Sequence, residues 1–339
     1  MNWYPWLSAP YRQLTGQYLT GRGHHAVLMH AAAGIGDEAL VYGLSRWLLC
    51  QHKDGEKSCG TCHSCQLMIA GNHPDWHILQ PEKGKNSLGI DPVRQLIETL
   101  YNYSQQGGSK VVWIPQTELL TEAAANALLK TLEEPPAGTY FLLGCREPSA
   151  LLATIRSRCF YWHLPVPEET LAVQWINRQL SADPVSIKTA LRLTNGAPLS
   201  AIELLQPERW KQRVALCQQL YTQCQQQDML SLLPQLNHDD APERLYWLAT
   251  LLLDAIKWQQ HAGQFIINHD QQPLIALLAG AQSSVALQQS VSAWMHCRHQ
   301  LLSIVGVNRE LLLTEQLLEW EQMLQGTVSA SIFSSALSR

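Results

Sequence analysis

Five short apolar runs alternate with helix-like stretches over the first half of this chain. The runs, which predict buried strands, cover residues 26–29, 76–79, 111–114, 140–143 and 160–164. The stretches between them predict helices near residues 37–50, 92–104, 121–134 and 149–156. A chain that alternates in this way forms a parallel sheet with helices on both faces. The first half is therefore predicted to be an α/β domain.

The second half has a different pattern. The strand signals fade after residues 165–167, and from Glu168 onward the sequence predicts helices, with breaks at Asn195-Gly196 and Gln206-Pro207. A chain of 339 residues is long for one core and is expected to form two or three domains. The predicted fold class is therefore α/β plus all-α.

Composition restricts the class of partner. Only 15% of the residues are charged and the net charge is −4, which is not the electrostatic footprint of an autonomous nucleic-acid binder. Twelve tryptophans on a chain of low charge favour protein partners instead. The first residues lack the pattern of a signal peptide, and the apolar run at residues 245–253 stops at Asp254. A cytoplasmic protein without membrane contact is expected.

The segment between the first strand and the first helix has the glycine spacing of a phosphate-binding loop but not its charges. Such a loop requires G-x-x-x-x-G-K-[ST], because the lysine reaches the phosphates and the hydroxyl holds magnesium. Gly34 and Gly36 keep the frame, whereas Asp37 stands at the lysine position and Glu38 at the hydroxyl position. At roughly 4 Å and an effective dielectric near 20, a like-charge contact costs about 4 kcal/mol. The loop is expected to repel nucleotide, although both acids also suit the start of a helix.

A second departure follows the strand at residues 111–114. A sheet that hydrolyses nucleotide places an aspartate there to hold magnesium and a glutamate to activate water. This chain carries Pro115 and Gln116 at those positions, and neither side chain can do that work. An ordinary core strand followed by a loop would explain the pair if it stood alone. Two departures in one frame instead indicate a sheet that does not hydrolyse nucleotide.

Four of the nine cysteines are clustered with the spacing C-x8-C-x2-C-x2-C. They are Cys50, Cys59, Cys62 and Cys65. Four thiolates complete the tetrahedral shell of zinc and leave no position for water, so such a metal would be structural. Free buried thiols remain an alternative. An iron–sulfur cluster is another, but it would favour a further cysteine soon after Cys65, where Ile69 stands.

Longer motifs resemble those of AAA+ clamp-loader subunits. They are NALLKTLEEPP at residues 126–136, FLLGCREP at 141–148, SRC at 157–159 and the cysteine insertion behind the glycine loop. Similar segments reach from WYPW at residues 3–6 to LLSIVGVNRELLLTEQLLEWE at 301–321, so the resemblance spans the chain. It implies an AAA+ Rec-like parallel-sheet domain at 1–165 with an inserted zinc module at 50–65. A helical lid at 166–207 and a helical collar for oligomerisation at 208–339 would follow.

The family contains motor subunits that hydrolyse ATP and a silent subunit that looks like a stator. This sequence is similar to the silent one at two further positions. Leu199 corresponds to an arginine that motors carry in the lid, and Cys145 corresponds to the polar residue that senses the terminal phosphate. The resemblance therefore implies that this subunit binds no ATP and that the chain alone has no ATPase activity.

One catalytic element of the family is retained in the SRC motif, which consists of Ser157, Arg158 and Cys159. In the family this arginine reaches into the ATP site of the neighbouring subunit. A guanidinium suits that task because it is permanently charged, planar and able to make paired bonds to phosphate oxygens. Without the resemblance, Arg156 and Arg158 would be interpreted as surface residues in salt bridges. The motif assigns the arginine finger to Arg158 and leaves Arg156 as a structural residue.

The resemblance also implies partners within the DNA polymerase III complex. They are the motor (gamma/tau) and delta subunits, contacted through the collar and the face that carries Arg158. The sliding clamp and primed DNA would be reached mainly through the assembled ring. Two other interpretations remain: an active AAA+ ATPase with an aberrant phosphate loop, and a stand-alone zinc-bearing protein that binds nucleic acid.

Overall fold

The computed structural model of the chain describes residues 2–304 and 306–324, which fall into two compact units, Met1–Pro167 and Glu168–Arg339. The strands of the first unit are β1 (Ala26–Ala31), β2 (Trp76–Ile78), β3 (Lys110–Ile114), β4 (Thr139–Cys145) and β5 (Phe160–Leu164). Its helices are α1 (Ser8–Leu19), α2 (Asp37–Leu49), α3 (His63–Ala70), α4 (Ile90–Tyr101), α5 (Glu122–Glu133) and α6 (Ala153–Arg156).

The second unit is helical throughout its described part. Its helices are α7 (Glu169–Gln179), α8 (Pro184–Leu193), α9 (Pro198–Leu204), α10 (Pro207–Gln226), α11 (Leu233–Leu236), α12 (Ala241–Gln259), α13 (Gln272–Ala281), α14 (Ser284–Ser303) and α15 (Arg309–Leu324). Residues 325–339 of the predicted collar lie outside the described residues.

The five strands form one sheet in the order β2-β3-β4-β1-β5, and every neighbouring pair is parallel. β4 is central, with Ile114 of β3 opposite Leu143 and His30 of β1 opposite Cys145. Because the strands are parallel, the segments that follow β1, β3 and β4 leave from the same edge of the sheet. In open α/β sheets this carboxyl edge is where ligands bind.

The predicted alternation of strands and helices is confirmed, but the predicted burial of the two edge strands, β2 and β5, is wrong. No residue of β2 is buried, and Ile78 is 47% exposed. β5 was expected to be a buried strand, and only Trp162 and Leu164 of its five residues are buried. The reason is its place at the edge of the sheet, which an apolar run does not reveal. The helix predicted near residues 149–156 is divided into a 3-10 turn, Pro148–Ala150, and the short helix α6.

The helix starts follow local chemistry. Thr121 caps α5, since its side chain accepts a hydrogen bond from the N–H of Ala124 at 3.3 Å. The pair Asp91-Pro92 predicts a helix that Asp91 caps, but α4 already begins at Ile90 and Gly89 is its N-cap. Asp91 instead lies in the first turn, where a carboxylate is favoured by the helix dipole.

A separate core holds the helical unit together. The buried tryptophans Trp294 and Trp320 pack edge to face, with ring centroids 5.5 Å apart. Arg213 is fully buried and donates to Asp270 and to Asn268, each at 2.6 Å, which ties α10 to the segment before α13. A buried charge needs this kind of pairing. The unit is therefore fixed by polar contacts as well as by apolar packing.

Among the residues that the structure describes, no single helix is long and apolar enough to cross a membrane; one bent pair, His269–Ala281 with Ser284–Ser303, passes by length and composition only.

Candidate functional site

The candidate site begins at the glycine loop between β1 and α2. Gly34 and Gly36 adopt φ values of 79° and 89°, a region that favours glycine. At Gly36 a Cβ atom would lie 2.5 Å from the ring of Tyr4, so the N-terminal segment packs directly on the loop. The indole N–H of Trp6 also donates to the carbonyl of Ile35 at 2.8 Å. These contacts anchor the N-terminal aromatic segment on the α/β unit.

A guanidinium from the end of β4 lies against this loop. Arg146 donates to the carbonyls of Ala31 at 3.1 Å and Ala32 at 3.3 Å, and it forms an ion pair with Asp37 at 3.0 Å. The Asp37 side chain is 4% exposed, whereas that of Arg146 is 28% exposed. The cation therefore neutralises the acid that replaced the lysine of a phosphate loop.

This ion pair modifies the expectation drawn from the two acids. The charge of Asp37 is compensated within the protein, so only Glu38 remains as an exposed acid in the first turn of α2. Both residues do lie at the amino end of the helix, where the dipole favours them. The charge that would oppose a triphosphate at this loop is therefore that of Glu38. The loop is also in contact with the side chain of Arg146.

The segment after β3 packs closely against β4. Gln116 is exposed and Pro115 is half-buried, so neither presents a carboxylate at this edge. A Cβ atom at Gly144 would lie 2.2 Å from the carbonyl oxygen of Pro115, which shows how near the two backbones are. The hydroxyl of Thr117 donates to the carbonyl of Gly144 at 2.8 Å. Backbone packing and this hydroxyl contact therefore hold the segment after β3 against β4.

The carboxylate nearest to this edge is used for structure. Glu118 accepts hydrogen bonds from the backbone N–H groups of Arg146 and Glu147, the latter at 2.9 Å. It thereby fixes the turn from which the Arg146 side chain departs. The neighbouring Cys145 is buried, and burial raises the pKa of its thiol to about 12. A neutral buried thiol is poorly suited to sensing a phosphate.

Arg158 lies at the opposite end of the sheet. It comes two residues before β5, whose residues Phe160 and Leu164 pair with Val27 and Ala31 of β1. At about 3.3 Å per residue, these two pairs are roughly 13 Å apart along the strands. The glycine loop follows the far pair, so Arg158 does not lie at the loop of its own chain.

The SRC motif forms a turn with distinct environments for its members. Ser157 is exposed and donates to the carbonyl of Thr154 at 3.1 Å. Burial raises the pKa of Cys159 to about 12, so this cysteine packs as a neutral side chain. Arg158 forms an ion pair with Glu133 at 3.1 Å while 30% of its side chain remains exposed. Arg156 is exposed.

The four clustered cysteines come together in space. Their sulfur atoms all lie within 4.8 Å of one another, with Cys50–Cys59 at 3.6 Å and Cys59–Cys65 at 4.0 Å. A tetrahedron of sulfurs at about 2.3 Å from zinc would place them about 3.8 Å apart. The cluster could therefore hold a thiophilic metal ion with little rearrangement.

Local structure explains this convergence. Cys50 ends α2, Cys62 caps α3, and Gly60 at φ 74° forms the turn between Cys59 and Cys62. The Cys62 N–H donates to the Cys59 sulfur at 3.3 Å and lowers the pKa of Cys59 to about 5. Burial raises the pKa of Cys65. The pKa of Cys62 is also lowered, whereas burial raises that of Cys50 as it does that of Cys65. The donor set thus includes two thiols that ionise more readily than usual, while Cys50 and Cys65 must lose protons to bind a metal.

Sequence reasoning missed two side chains that shape these sites. In the sequence, Arg146 stands out only as part of the motif at residues 141–148, and Glu133 only as part of that at 126–136. No spacing links Arg146 to Asp37 or Glu133 to Arg158, because both pairs are made by the fold. The sequence offers one indication of such a pair: Asp37 at the lysine position is an acid that would need a cation from elsewhere in the chain if it were buried.

The comparisons with known proteins agree over almost the whole chain. A family model described as DNA polymerase III, delta subunit, matches residues 7–168. A second model, described as DNA polymerase III, delta subunit, C terminal, matches residues 207–322. The model of the AAA+ ATPase lid domain of DNA polymerase III subunit delta' matches residues 167–206. Together with the parallel sheet, the lid match confirms the predicted AAA+ fold class.

Individual relatives are similar at high identity. DNA polymerase III subunit delta' of Yersinia pestis is 63% identical over 335 residues, 97% of this chain and 98% of the relative. The subunit of the same name from Escherichia coli K12 is 51% identical over 96% of this chain and 97% of the relative. Subunit tau of Salmonella typhimurium is 30% identical over 54% of this chain and 29% of its own length.

Proposed function

This chain belongs to the family of DNA polymerase III subunit delta', and we propose that it is the non-hydrolysing stator of the clamp loader that places the sliding clamp on primed DNA. In this role it lends Arg158 to the ATP site of a neighbouring subunit and uses no ATP of its own. Its partners in the ring are the motor (gamma/tau) and delta subunits, and it meets the clamp and DNA mainly through the complex.

The observation that best supports the non-hydrolysing role is the position of Arg146 against the glycine loop. Its guanidinium satisfies Asp37 and two carbonyls of the glycine loop, at 3.0, 3.1 and 3.3 Å. A triphosphate entering the loop would meet Glu38 instead of a lysine, next to a segment without a carboxylate for magnesium. The loop is therefore expected to stay folded without nucleotide. It also offers no group that would bind or hydrolyse ATP.

Equilibrium binding of ATP and magnesium to the isolated chain, measured by calorimetry, tests this role. We expect no saturation up to millimolar ATP. A double variant, Asp37→Lys with Glu38→Thr, serves as a comparison because it restores the charges of a phosphate loop; a third change, Arg146→Ala, then removes the competing cation. Micromolar affinity of the unaltered chain would favour the alternative of an active ATPase and would overturn the stator role.

The trans role of Arg158 is supported by its position and exposure. It lies at the end of the sheet away from its own glycine loop, and 30% of its side chain is exposed. An arginine supplied in trans is worth roughly 10³ to 10⁵ in rate for phosphoryl transfer. Arg158→Ala is expected to leave ring assembly intact and to lower ATP turnover at one site of the reconstituted ring.

Arg156→Ala is the matched control, because Arg156 is exposed and its side chain makes no hydrogen bond or ion pair within residues 2–304 and 306–324. It should leave turnover unchanged. Equal turnover by the Arg158→Ala ring and the unaltered ring would remove the finger from the mechanism.

For the metal we propose structural zinc at Cys50, Cys59, Cys62 and Cys65. Its function is to close the insertion between α2 and α3, since no ligand position would be left for water. The alternative of a stand-alone nucleic-acid binder predicts tight, salt-sensitive binding of primed DNA by the isolated chain. We expect such binding only for the assembled ring.

The domain division that accompanies this role is a Rec-like domain at 1–165, a lid at 166–207 and a collar at 208–339. The collar is proposed to make the ring contacts. The cytoplasmic location stays a prediction.

A further inference from the structure

We infer that Glu133 is a positioning residue for Arg158, holding its guanidinium so that two N–H donors face outward toward a phosphate of another subunit. This inference rests on the proposed trans role of Arg158. It adds a second residue to that role, taken from the end of a different helix.

The contacts hold the guanidinium on two sides. One oxygen of Glu133, Oε2, accepts from Nε of Arg158 at 3.2 Å and from Nη2 at 3.1 Å. The carbonyl of Thr154, in α6, accepts from Nη1 at 3.1 Å. The side chain is therefore fixed by groups from two helices and is not simply extended into solvent.

The number of donors decides which edge stays available. A guanidinium has five N–H donors, and these contacts use three of them. The two that remain are one on Nη1 and one on Nη2, so each nitrogen at the end of the fork keeps one donor. That end matches two oxygens of a phosphate with parallel hydrogen bonds. Glu133 thus occupies the side edge of the arginine and leaves the phosphate-binding edge unused.

The anchor is itself held in place. Glu133 is the last residue of α5, and a ring nitrogen of His25 lies 2.7 Å from the carbonyl oxygen of the preceding residue, Leu132. His25 directly precedes β1, so the end of α5 is tied to the amino edge of the sheet. A carboxylate on such a support can restrict a long side chain, so less rotamer entropy remains to be lost when the arginine binds a phosphate.

A neighbouring acid provides a matched control. Glu134 is also exposed and follows Glu133 directly, but it makes no ion pair with an arginine in the part of the chain that the structure describes. A general effect of negative charge near the partner's phosphate should appear in variants of both acids. A positioning effect should appear only in variants of Glu133.

The test uses the reconstituted ring and measures kcat and KM for ATP. At the ATP site that Arg158 serves, Glu133→Ala is expected to lower kcat about three- to fivefold with KM unchanged, since exposed ion pairs are worth up to about 1 kcal/mol. Glu133→Gln, which keeps an acceptor oxygen, should lower kcat about twofold. Glu134→Gln should leave kcat unchanged. Equal assembly of all rings, checked by gel filtration, separates these effects from loss of structure.

A double variant gives the decisive readout. Glu133→Ala combined with Arg158→Ala should have the kcat of Arg158→Ala alone, because an anchor without its arginine has nothing to position. Additive losses would assign Glu133 a separate structural effect and overturn the inference. An unchanged or raised kcat for Glu133→Ala, with Arg158→Ala impaired, would overturn it while leaving the finger in place. An unimpaired Arg158→Ala ring would instead remove the proposed role of Arg158 itself.

Discussion

Arg146→Ala is predicted to destabilise the glycine loop and the start of α2 without creating a nucleotide site. The change leaves Asp37, whose side chain is 4% exposed, without the cation that pairs with it and removes one donor from each of two carbonyls. Removing one partner of a fully buried ion pair costs about 3–5 kcal/mol. Since the Arg146 side chain is 28% exposed and partly screened by water, we expect a loss of about 2 kcal/mol.

Hydrogen exchange read by mass spectrometry suits this measurement, because it reports residues 26–49 separately from the helical unit. A loss of about 2 kcal/mol corresponds to roughly thirtyfold faster exchange of protected amides in that segment. Asp37→Asn is the matched variant. It keeps an acceptor for Arg146, whose charge can reach water, so its cost should be below about 1 kcal/mol.

The relative stability losses of Arg146→Ala and Asp37→Asn test whether the buried acid depends on its cation. Exchange within a factor of two of the unaltered chain for Arg146→Ala would show that the pair does not stabilise the loop. A cost for Asp37→Asn equal to that of Arg146→Ala would contradict the view that the buried acid depends on its cation. ATP binding by Arg146→Ala would be equally damaging, because the bare Asp37 should repel phosphate more strongly than the neutralised pair.

Three further predictions concern the same unit. Burial lowers the pKa of His73 below its ordinary value of 6.5, so the unfolded chain takes up a proton that the folded protein refuses. The contribution of His73 to the free energy of unfolding should be fully present above pH 6.5 and should fall below that pH by at most about 1.4 kcal/mol per pH unit. In thermal unfolding, His73→Gln should lose less stability over the same pH range. Gly144→Ala should cost about 2–3 kcal/mol in urea unfolding, because its Cβ would meet backbone at 2.2 Å; a neutral result would mean that the strands can move apart. Cys59→Ser should lower the zinc content measured by mass spectrometry, while Cys224→Ser, which lies outside the cluster, should not. Equal zinc content in the two variants would exclude the cluster as the metal site.

The pattern of apolar runs was sufficient for the order of elements but not for their burial. All five strands were predicted, because a run of apolar residues between turn signals has few other structures available. The exposure of β5 depends on which strand lies at the edge, and that is fixed by the crossovers rather than by the run itself. α3 was missed for a local reason, since its N-cap is the cysteine Cys62 and not one of the usual capping residues.

The site was predictable where the chemistry is contiguous in sequence. The cysteine spacing and the two departures from nucleotide chemistry each lie within a few residues, so residue types alone were informative. The cation at the glycine loop was not, because Arg146 meets Asp37 only when β4 pairs with β1. The same holds for Glu133 and Arg158, which are joined by the packing of α5 beside the turn before β5.

The two arginines show how one residue type can have opposite uses at the two ends of a sheet. At the carboxyl edge, Arg146 is directed inward and makes three contacts with its own loop, so the loop needs no ligand to be satisfied. At the amino edge, Arg158 is held by its side and keeps two donors unused. A motor subunit must instead leave its own loop open and bind nucleotide there. In the proposed stator role, the internal cation fills that loop in place of nucleotide, and the other end of the sheet supports an arginine for a neighbour.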